Sequence, residues 1–143
     1  MGIFGKLFGS KKLKTIDSDF GEIESFSSDG DRIGWMIKRN YLETPIEILI
    51  DGSKYGISEH QKKILLEALN KETEIKSESE LALREQYDNA EMKFVSIKDH
   101  FDFKAIFVRD KGFELSFQQA ENPKYYFHVH FENNKQIGVS ING

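Results

Sequence analysis

The sequence contains no cysteine, only two prolines and no long apolar run. Without cysteine the chain cannot form a disulfide, a thiolate nucleophile, a zinc site with thiolate ligands or an iron–sulfur cluster. No apolar stretch approaches the roughly 20 residues that a membrane-spanning helix requires. A glycine-rich phosphate loop and the G-x-S-x-G nucleophile motif are also missing, so we predict no cofactor and no catalytic activity.

What the sequence does have is enough apolar and aromatic side chain to build one domain. Of its 143 residues, 38% are hydrophobic, and the aromatic residues are 12 Phe, 5 Tyr and 1 Trp. The charged fraction of 31% and the mean hydropathy of -0.53 are typical of a globular chain. We therefore expect a single domain over residues 16–143, in which the aromatic residues fill a core rather than line a ligand cavity.

Charge is divided unevenly along the chain. The net charge is -4, but residues 1–14 hold four lysines and no acid, which leaves -8 on the remaining residues. A body of that sign repels phosphate backbones, so we predict no nucleic-acid partner. The most acidic stretch is 72–91, with seven acidic and two basic residues. It is either a solvated helix face or a surface that attracts a basic protein.

Residues 1–15 read as a separate basic amphipathic tail. The apolar residues that would share one face of a short helix there are Ile3, Phe4, Leu7 and Phe8. Such a segment can rest on an anionic membrane surface, so weak membrane contact through residues 1–14 is one prediction. Light packing on the domain and docking to a partner are the alternatives. The tail is too short and too charged for a secretory signal, and we expect a cytoplasmic protein.

The first part of the body is predicted to be a three-strand meander. Residues 20–28 and 31–39 flank Asp29-Gly30, a dipeptide whose conformational freedom suits a tight hairpin turn. Apolar residues alternate with polar ones in the second of these stretches and again in 45–50, which predicts half-buried strands.

Two helices are predicted to follow the meander. Residues 58–70 have apolar side chains at helical spacing behind an S-x-x-Q capping box that begins at Ser58. A second box, S-x-x-E, begins at Ser77 and predicts a more exposed helix over 78–90.

The last third of the chain is predicted to be a second meander. Its predicted strands are 102–109, 112–119, 124–132 and 135–141, and residues 91–101 are ambiguous. The whole chain is therefore predicted to be an α+β domain. Its antiparallel sheet would consist of an N-terminal three-strand meander and a C-terminal four- to five-strand meander. The two helices would pack on one face of this sheet.

His128 and His130 are the candidate metal ligands. Residues i and i+2 of a strand point to the same side, so both imidazoles would share one face and could bind one zinc or iron ion. A third ligand would be His100 or Glu114, if the strand register allowed it. The alternative is that both histidines are simply polar residues on the solvent face of an amphipathic strand.

Partner binding has its own candidate residues. Glu74, Glu78 and Glu80 lie in the acidic stretch and would attract a basic surface. Tyr126 lies beside the two histidines, and tyrosine is enriched at protein interfaces. We therefore expect a non-catalytic protein-binding module, with a metal-binding protein or metal-dependent enzyme using the H-x-H pair as the alternative.

The layout also resembles a group of small bacterial proteins that are classified as domains of unknown function. The resemblance rests on the opening 19–23 (DFGEI), on Trp35, on the strand 46–50, and on the endings 126–131 (YFHVHF) and 137–143 (IGVSING). Some proteins of that kind occur beside polymorphic toxin systems, where small acidic domains act as immunity proteins. The resemblance thus implies a protein partner and supplies no catalytic residue.

Overall fold

The computed structural model describes residues 12–143. Within that range the chain forms nine strands and three helices. In chain order the elements are β1 (Lys14–Asp17), β2 (Gly21–Asp29), β3 (Arg32–Tyr41), β4 (Thr44–Ser53), β5 (Gly56–Ile57), α1 (Glu59–Leu69), α2 (Glu72–Asn89), α3 (Ile97–His100), β6 (Phe101–Val108), β7 (Gly112–Gln119), β8 (Tyr126–Glu132) and β9 (Lys135–Asn142).

The nine strands belong to one sheet, in the order β1-β2-β3-β4-β6-β7-β8-β9, with β5 paired to β4. All neighbours are antiparallel except β4 and β6, which pair in parallel through residues 47–49 and 105–107. A parallel pair needs a crossover of about a dozen or more residues, and the three helices form that crossover. The parallel pair joins the two meanders into a single sheet.

The helices pack on one face of this sheet. Helix α1 contacts β4, β6 and β7, whereas α2 contacts β8 and β9. The predicted α+β class, with an antiparallel sheet and helices on one face, is confirmed. Three features were not predicted: the parallel pair, the short strands β1 and β5, and the third helix α3.

Aromatic side chains fill much of the core between sheet and helices, as expected. Trp35 is fully buried and its Nε1 donates a hydrogen bond to the Ser53 carbonyl at 3.0 Å. The buried Tyr41 hydroxyl donates to the Ala68 carbonyl of α1 at 2.9 Å, which ties the helix to β3. The expectation is wrong for Phe26, which is 47% exposed because it lies on the opposite face of the sheet.

Helix α1 begins where the sequence predicted. Ser58 is its N-cap and accepts a hydrogen bond from the Gln61 amide at 3.4 Å. The Gln61 side chain does not close the capping box. Its oxygen instead accepts from the Asp51 amide at 3.0 Å and its nitrogen donates to Asp110 at 2.8 Å, so the buried glutamine joins α1 to the end of β4 and to the loop after β6.

The predicted start of the second helix is wrong, because α2 begins at Glu72 rather than near Ser77. The Glu72 carboxylate accepts a hydrogen bond from the Leu42 amide at 2.7 Å. Leu42 and Glu43 form the β3–β4 turn and both have positive φ, an uncommon conformation for such side chains. The first residue of α2 therefore holds a strained turn, and this long-range contact gives no local sequence signal.

The ambiguous stretch 91–101 divides into loop, helix and strand. Residues 97–100 form the single turn α3, which Ser96 caps by accepting from the Asp99 amide at 3.2 Å. Phe101 then begins β6.

A buried lysine fixes the first strand to α1. Lys62 Nζ lies 3.0 Å from Asp17 and 2.6 Å from Asp19, and the side chains of Lys62 and Asp17 are only 9% and 11% exposed. The hydrogen bond to Asp19 is the main cause of a raised Lys62 pKa. Burial opposes ionisation of Asp17, but backbone N–H groups and Lys62 outweigh it and hold the Asp17 pKa below its ordinary value.

Most of the predicted tail lies outside the described residues, so its amphipathic helix and its membrane contact stay predictions. Lys14 already belongs to β1 and pairs with Glu24, so the expected domain boundary between residues 15 and 16 falls inside a strand. Within residues 12–143, no helix has the length and apolar character needed to cross a bilayer.

Replacing Lys62 by Met should destabilise the fold. The substitution leaves Asp17 and Asp19 beside an apolar chain, and the loss of charge-assisted hydrogen bonds should lower the free energy of unfolding by about 2 kcal/mol. Urea denaturation measures the change. The exposed neighbour Lys63 is the control, and Lys63→Met should change stability by less than about 0.5 kcal/mol. Equal stabilities of the two variants would contradict the structural role of Lys62.

Candidate binding surface on the open face of the sheet

The face of the sheet opposite the helices, here called the open face, carries a continuous row of facing residues. The strand register pairs each member with the next, and the members are Glu24, Met36, Leu49, Phe107, Glu114 and His130. Its centre, here called the apolar row, consists of the half-buried Met36, Leu49 and Phe107. Phe107 was expected in the core, but a bulge in β6 between Phe103 and Ala105 turns Phe107 to the open face.

A glycine makes room for a further aromatic ring on this face. The β2–β3 register shifts between Ser25 and Ser27, which leaves Phe26 in a bulge. Atoms of the Phe26 ring would lie 2.7 Å from a Cβ placed on Gly34, closer than real Cβ contacts. Because Gly34 has no side chain, the exposed Phe26 ring can lie over β3 and extend the apolar surface.

One end of the row is an ordered polar network. Glu114 accepts a hydrogen bond from Arg109 Nη2 at 3.0 Å, its other oxygen lies 3.0 Å from His130 Nδ1, and its side chain is only 14% exposed. The Ser140 hydroxyl lies 2.8 Å from His130 Nε2. The Arg109 guanidinium also lies over the Phe107 ring, 5.3 Å from its centre. Three strands and the residue just after β6 thus hold the charges that border the apolar row.

His128 and Tyr126 lie on the same face, as the strand alternation predicted. Asn142 Nδ2 donates to His128 Nε2 at 3.0 Å, whereas Nδ1 is buried and has no hydrogen-bond partner within residues 12–143. The Tyr126 and His128 rings stack with their centres 6.5 Å apart, and the Phe107 ring meets the His128 ring edge-on at 6.5 Å. Burial is the main cause of a lowered His128 pKa, which the Glu114 charge partly opposes.

The two histidines do not form a metal centre with the third ligands that the sequence offered. Glu114 does contact His130, but His100 lies on the helix side, where it bonds Glu121 and stacks on Phe94. In the part of the chain that the structure describes, no group of three or more His, Asp or Glu side chains has the geometry to hold a metal ion.

Ser140, His130 and Glu114 have the connectivity of a Ser–His–acid triad. A hydrolase also needs donors that stabilise an oxyanion and a pocket for the substrate. All three helices of the described chain lie on the other face, so none of their N-termini faces Ser140. Ser140 is itself exposed on strand β9. A cavity of about 540 Å³ is lined by the β3–β4 turn and the start of β6, and Ser140 does not line it. The network therefore orients His130 on a flat surface.

The acidic candidates lie on α2, and they are not equivalent. Glu74 is exposed and Glu80 is half-buried. Glu78 accepts a hydrogen bond from the Gln136 amide at 2.9 Å, so it anchors α2 to the start of β9. Of the three predicted partner-binding glutamates, Glu78 has a structural contact and Glu74 is the most accessible.

The sequence analysis did not predict the apolar row. It assigned the outward-facing residues of each strand to solvent, although some of these residues are apolar. Met36 and Leu49 occupy positions that alternate with the buried Trp35, Ile37, Ile48 and Ile50. An apolar residue at an outward position is the signal that was available. That these positions become neighbours depends on the β4–β6 register, which the sequence does not display.

Comparison with known proteins gives no relative: no family model, no curated protein and no solved structure matches the chain. The resemblance to small bacterial proteins of unknown function, and the immunity role that it implies, therefore stay predictions.

The His128 imidazole should titrate below its ordinary pKa of about 6.5, because burial favours the neutral ring. Glu114→Gln should lower this pKa further, since it removes the nearby negative charge that opposes the shift. An NMR titration of the imidazole C–H resonances measures both values. Glu132→Gln, which removes an exposed charge at the end of the same strand, should leave the His128 pKa unchanged. A His128 pKa that rises in Glu114→Gln would contradict the described environment.

Proposed function

We propose that the protein is a non-catalytic, cytoplasmic protein-binding module that docks its partner on the open face of the sheet. The observation that carries this proposal is the apolar row of Met36, Leu49 and Phe107, which no helix of the described chain covers. Contiguous apolar surface that folding leaves accessible is typical of protein-interaction sites. An immunity-like role, which the resemblance implies, is one form that this function takes.

The surroundings of the row match the anatomy of a protein interface. Interfaces have an apolar centre that excludes water and a polar rim that gives orientation. Here the rim on one side is Glu24, which lies 3.8 Å from Lys12 and 3.6 Å from Lys14. On the other side it is the Arg109–Glu114 pair at 3.0 Å. The fitting partner is a folded protein that projects apolar side chains between polar groups.

The acidic residues of α2 contribute differently. They lie on the covered side of the sheet, so they do not line the open face. Their charge would raise the association rate of a basic partner by long-range attraction, an effect that salt screens. Reversing Glu74 and Glu80 should therefore slow association at low salt without changing which partner binds.

Leu49→Lys should weaken partner binding at least about tenfold, because it places a charge in the middle of the desolvated apolar centre. Full-length protein captures the partner from a lysate of the cell that encodes it, and the dissociation constant is then measured with the purified partner. Glu67→Gln, on the exposed side of α1, makes the same change in net charge and is the matched control. Circular dichroism checks that both variants fold.

Equal affinities of Leu49→Lys and Glu67→Gln would contradict docking on the open face. Met36→Lys offers an independent second variant from β3, and it should reproduce the loss.

A fluorophosphonate reagent should leave Ser140 unlabelled, because this serine is exposed on strand β9 and no helix N-terminus of the described chain faces it. Mass spectrometry of the full-length protein after exposure measures the modification. Covalent labelling of Ser140 that disappears in His130→Ala would contradict the non-catalytic proposal and favour an acyl-transfer enzyme.

A further inference from the structure

Strand β9 is the last strand of the sheet, and its outer edge is unoccupied within residues 12–143. One row of its backbone N–H and C=O groups pairs with β8, and the other row faces away from the sheet. Such an edge is a template on which another extended chain can add as a strand.

The two ends of the sheet differ in how they protect their edges. Strand β1 has four residues, and its Lys14 forms an ion pair with Glu24. Short length and lysine are the usual devices against unwanted strand pairing. Strand β9 has eight residues, contains no proline and has one charged residue, Lys135, at its start. Its register with β8 shifts at Ile137, but residues 138–142 pair without interruption. It exposes Ile137 by 58% and Ile141 by 47%.

The helix beside β9 continues this exposed apolar edge and adds negative charge. Leu81 of α2 is 65% exposed. It lines a shallow concavity of about 330 Å³ together with Glu85, Asp88, Gln136 and Arg84, so two carboxylates and one guanidinium border it. A strand that paired with β9 would place its side chains on the helix side against Leu81, within reach of these carboxylates.

We propose that β9 accepts an extended segment of a partner protein, which carries both apolar and basic residues on its helix-facing side, as an additional antiparallel or parallel strand. The inference rests on the proposed protein-binding function but concerns a second surface. Backbone hydrogen bonds to the β9 edge supply the pairing, and apolar side chains cover Ile137 and Leu81. Basic side chains on that segment are neutralised by Glu85 and Asp88.

Charge selects this occupant over a second copy of the chain. Pairing β9 with the β9 of another copy about a two-fold axis would bring two α2 helices side by side on the same face. The stretch 72–91 has seven acidic and two basic residues, so the two helices would repel each other. A basic segment would instead be attracted by the negative charge of α2.

A synthetic peptide is the probe, in which valine and lysine take turns at every second position with threonine between them, and the full-length protein is the receptor. We expect binding that protects or shifts the β9 amides in NMR spectra and that weakens as salt increases. Ile137→Lys should reduce the affinity at least about tenfold, because an edge lysine blocks strand pairing and repels the probe. Ile16→Lys, the same substitution on exposed β1, is the matched control and should bind as the unmodified protein does.

Three results would overturn the inference: no binding of the peptide, equal loss in Ile137→Lys and Ile16→Lys, or equal affinity for a valine–glutamate peptide. A dimer in sedimentation that Ile137→Lys dissociates would also overturn it, since the occupant would be a second copy. Leu49→Lys separates this inference from the open-face proposal. It should leave peptide binding intact, and loss of peptide binding in this variant would place the probe on the open face and contradict the β9 assignment.

Discussion

The parallel pairing of β4 with β6 is the constraint on which the rest of the structure depends. It joins two antiparallel meanders, separated in sequence by all three helices, into one sheet. Ile48 and Ile106 face each other on the helix side, and both are fully buried. The same register sets Leu49 beside Phe107 on the open face. One pairing therefore determines both the continuity of the core and the apolar row.

Local patterns in the sequence were sufficient to predict most elements. Period-two alternation located β3, β4, β7 and β8, and the Asp29-Gly30 turn located the first hairpin. Ser58 marked the start of α1 because a cap acts on its own first turn. The start of α2 could not be found in this way, because Glu72 binds a turn about thirty positions earlier in the chain.

The candidate site was less predictable because its contacts cross strands. Alternation correctly placed Tyr126, His128 and His130 on one face, but their neighbours depend on register and on bulges. Glu114 was named as a possible partner of the histidines, and it does contact His130. Ser140 and Arg109 complete that network through β9 and the end of β6, and neither residue type carries a local signal. His100 lies on the helix side because it ends the helical turn α3, which the sequence analysis did not predict.

The fold divides its surfaces into distinct chemical roles. The helix side carries the core and an acidic helix, and the open face carries a half-buried apolar row with charges at both ends. The outer edge of β9 is not paired by any strand of residues 12–143. Lys62 and Gln61 use buried polar contacts to hold α1 on the helix side of the sheet. These features favour recognition of another macromolecule through a preformed surface.

NMR of the full-length protein with methyl-labelled methionine and leucine tests this account most directly. The β4–β6 register predicts nuclear Overhauser contacts from the Leu49 methyls to both the Met36 methyl and the Phe107 ring, and all three signals should shift together when the purified partner is added. Missing contacts between Leu49 and Phe107 would contradict the sheet. Unchanged signals in the presence of bound partner would contradict the open face as the binding surface.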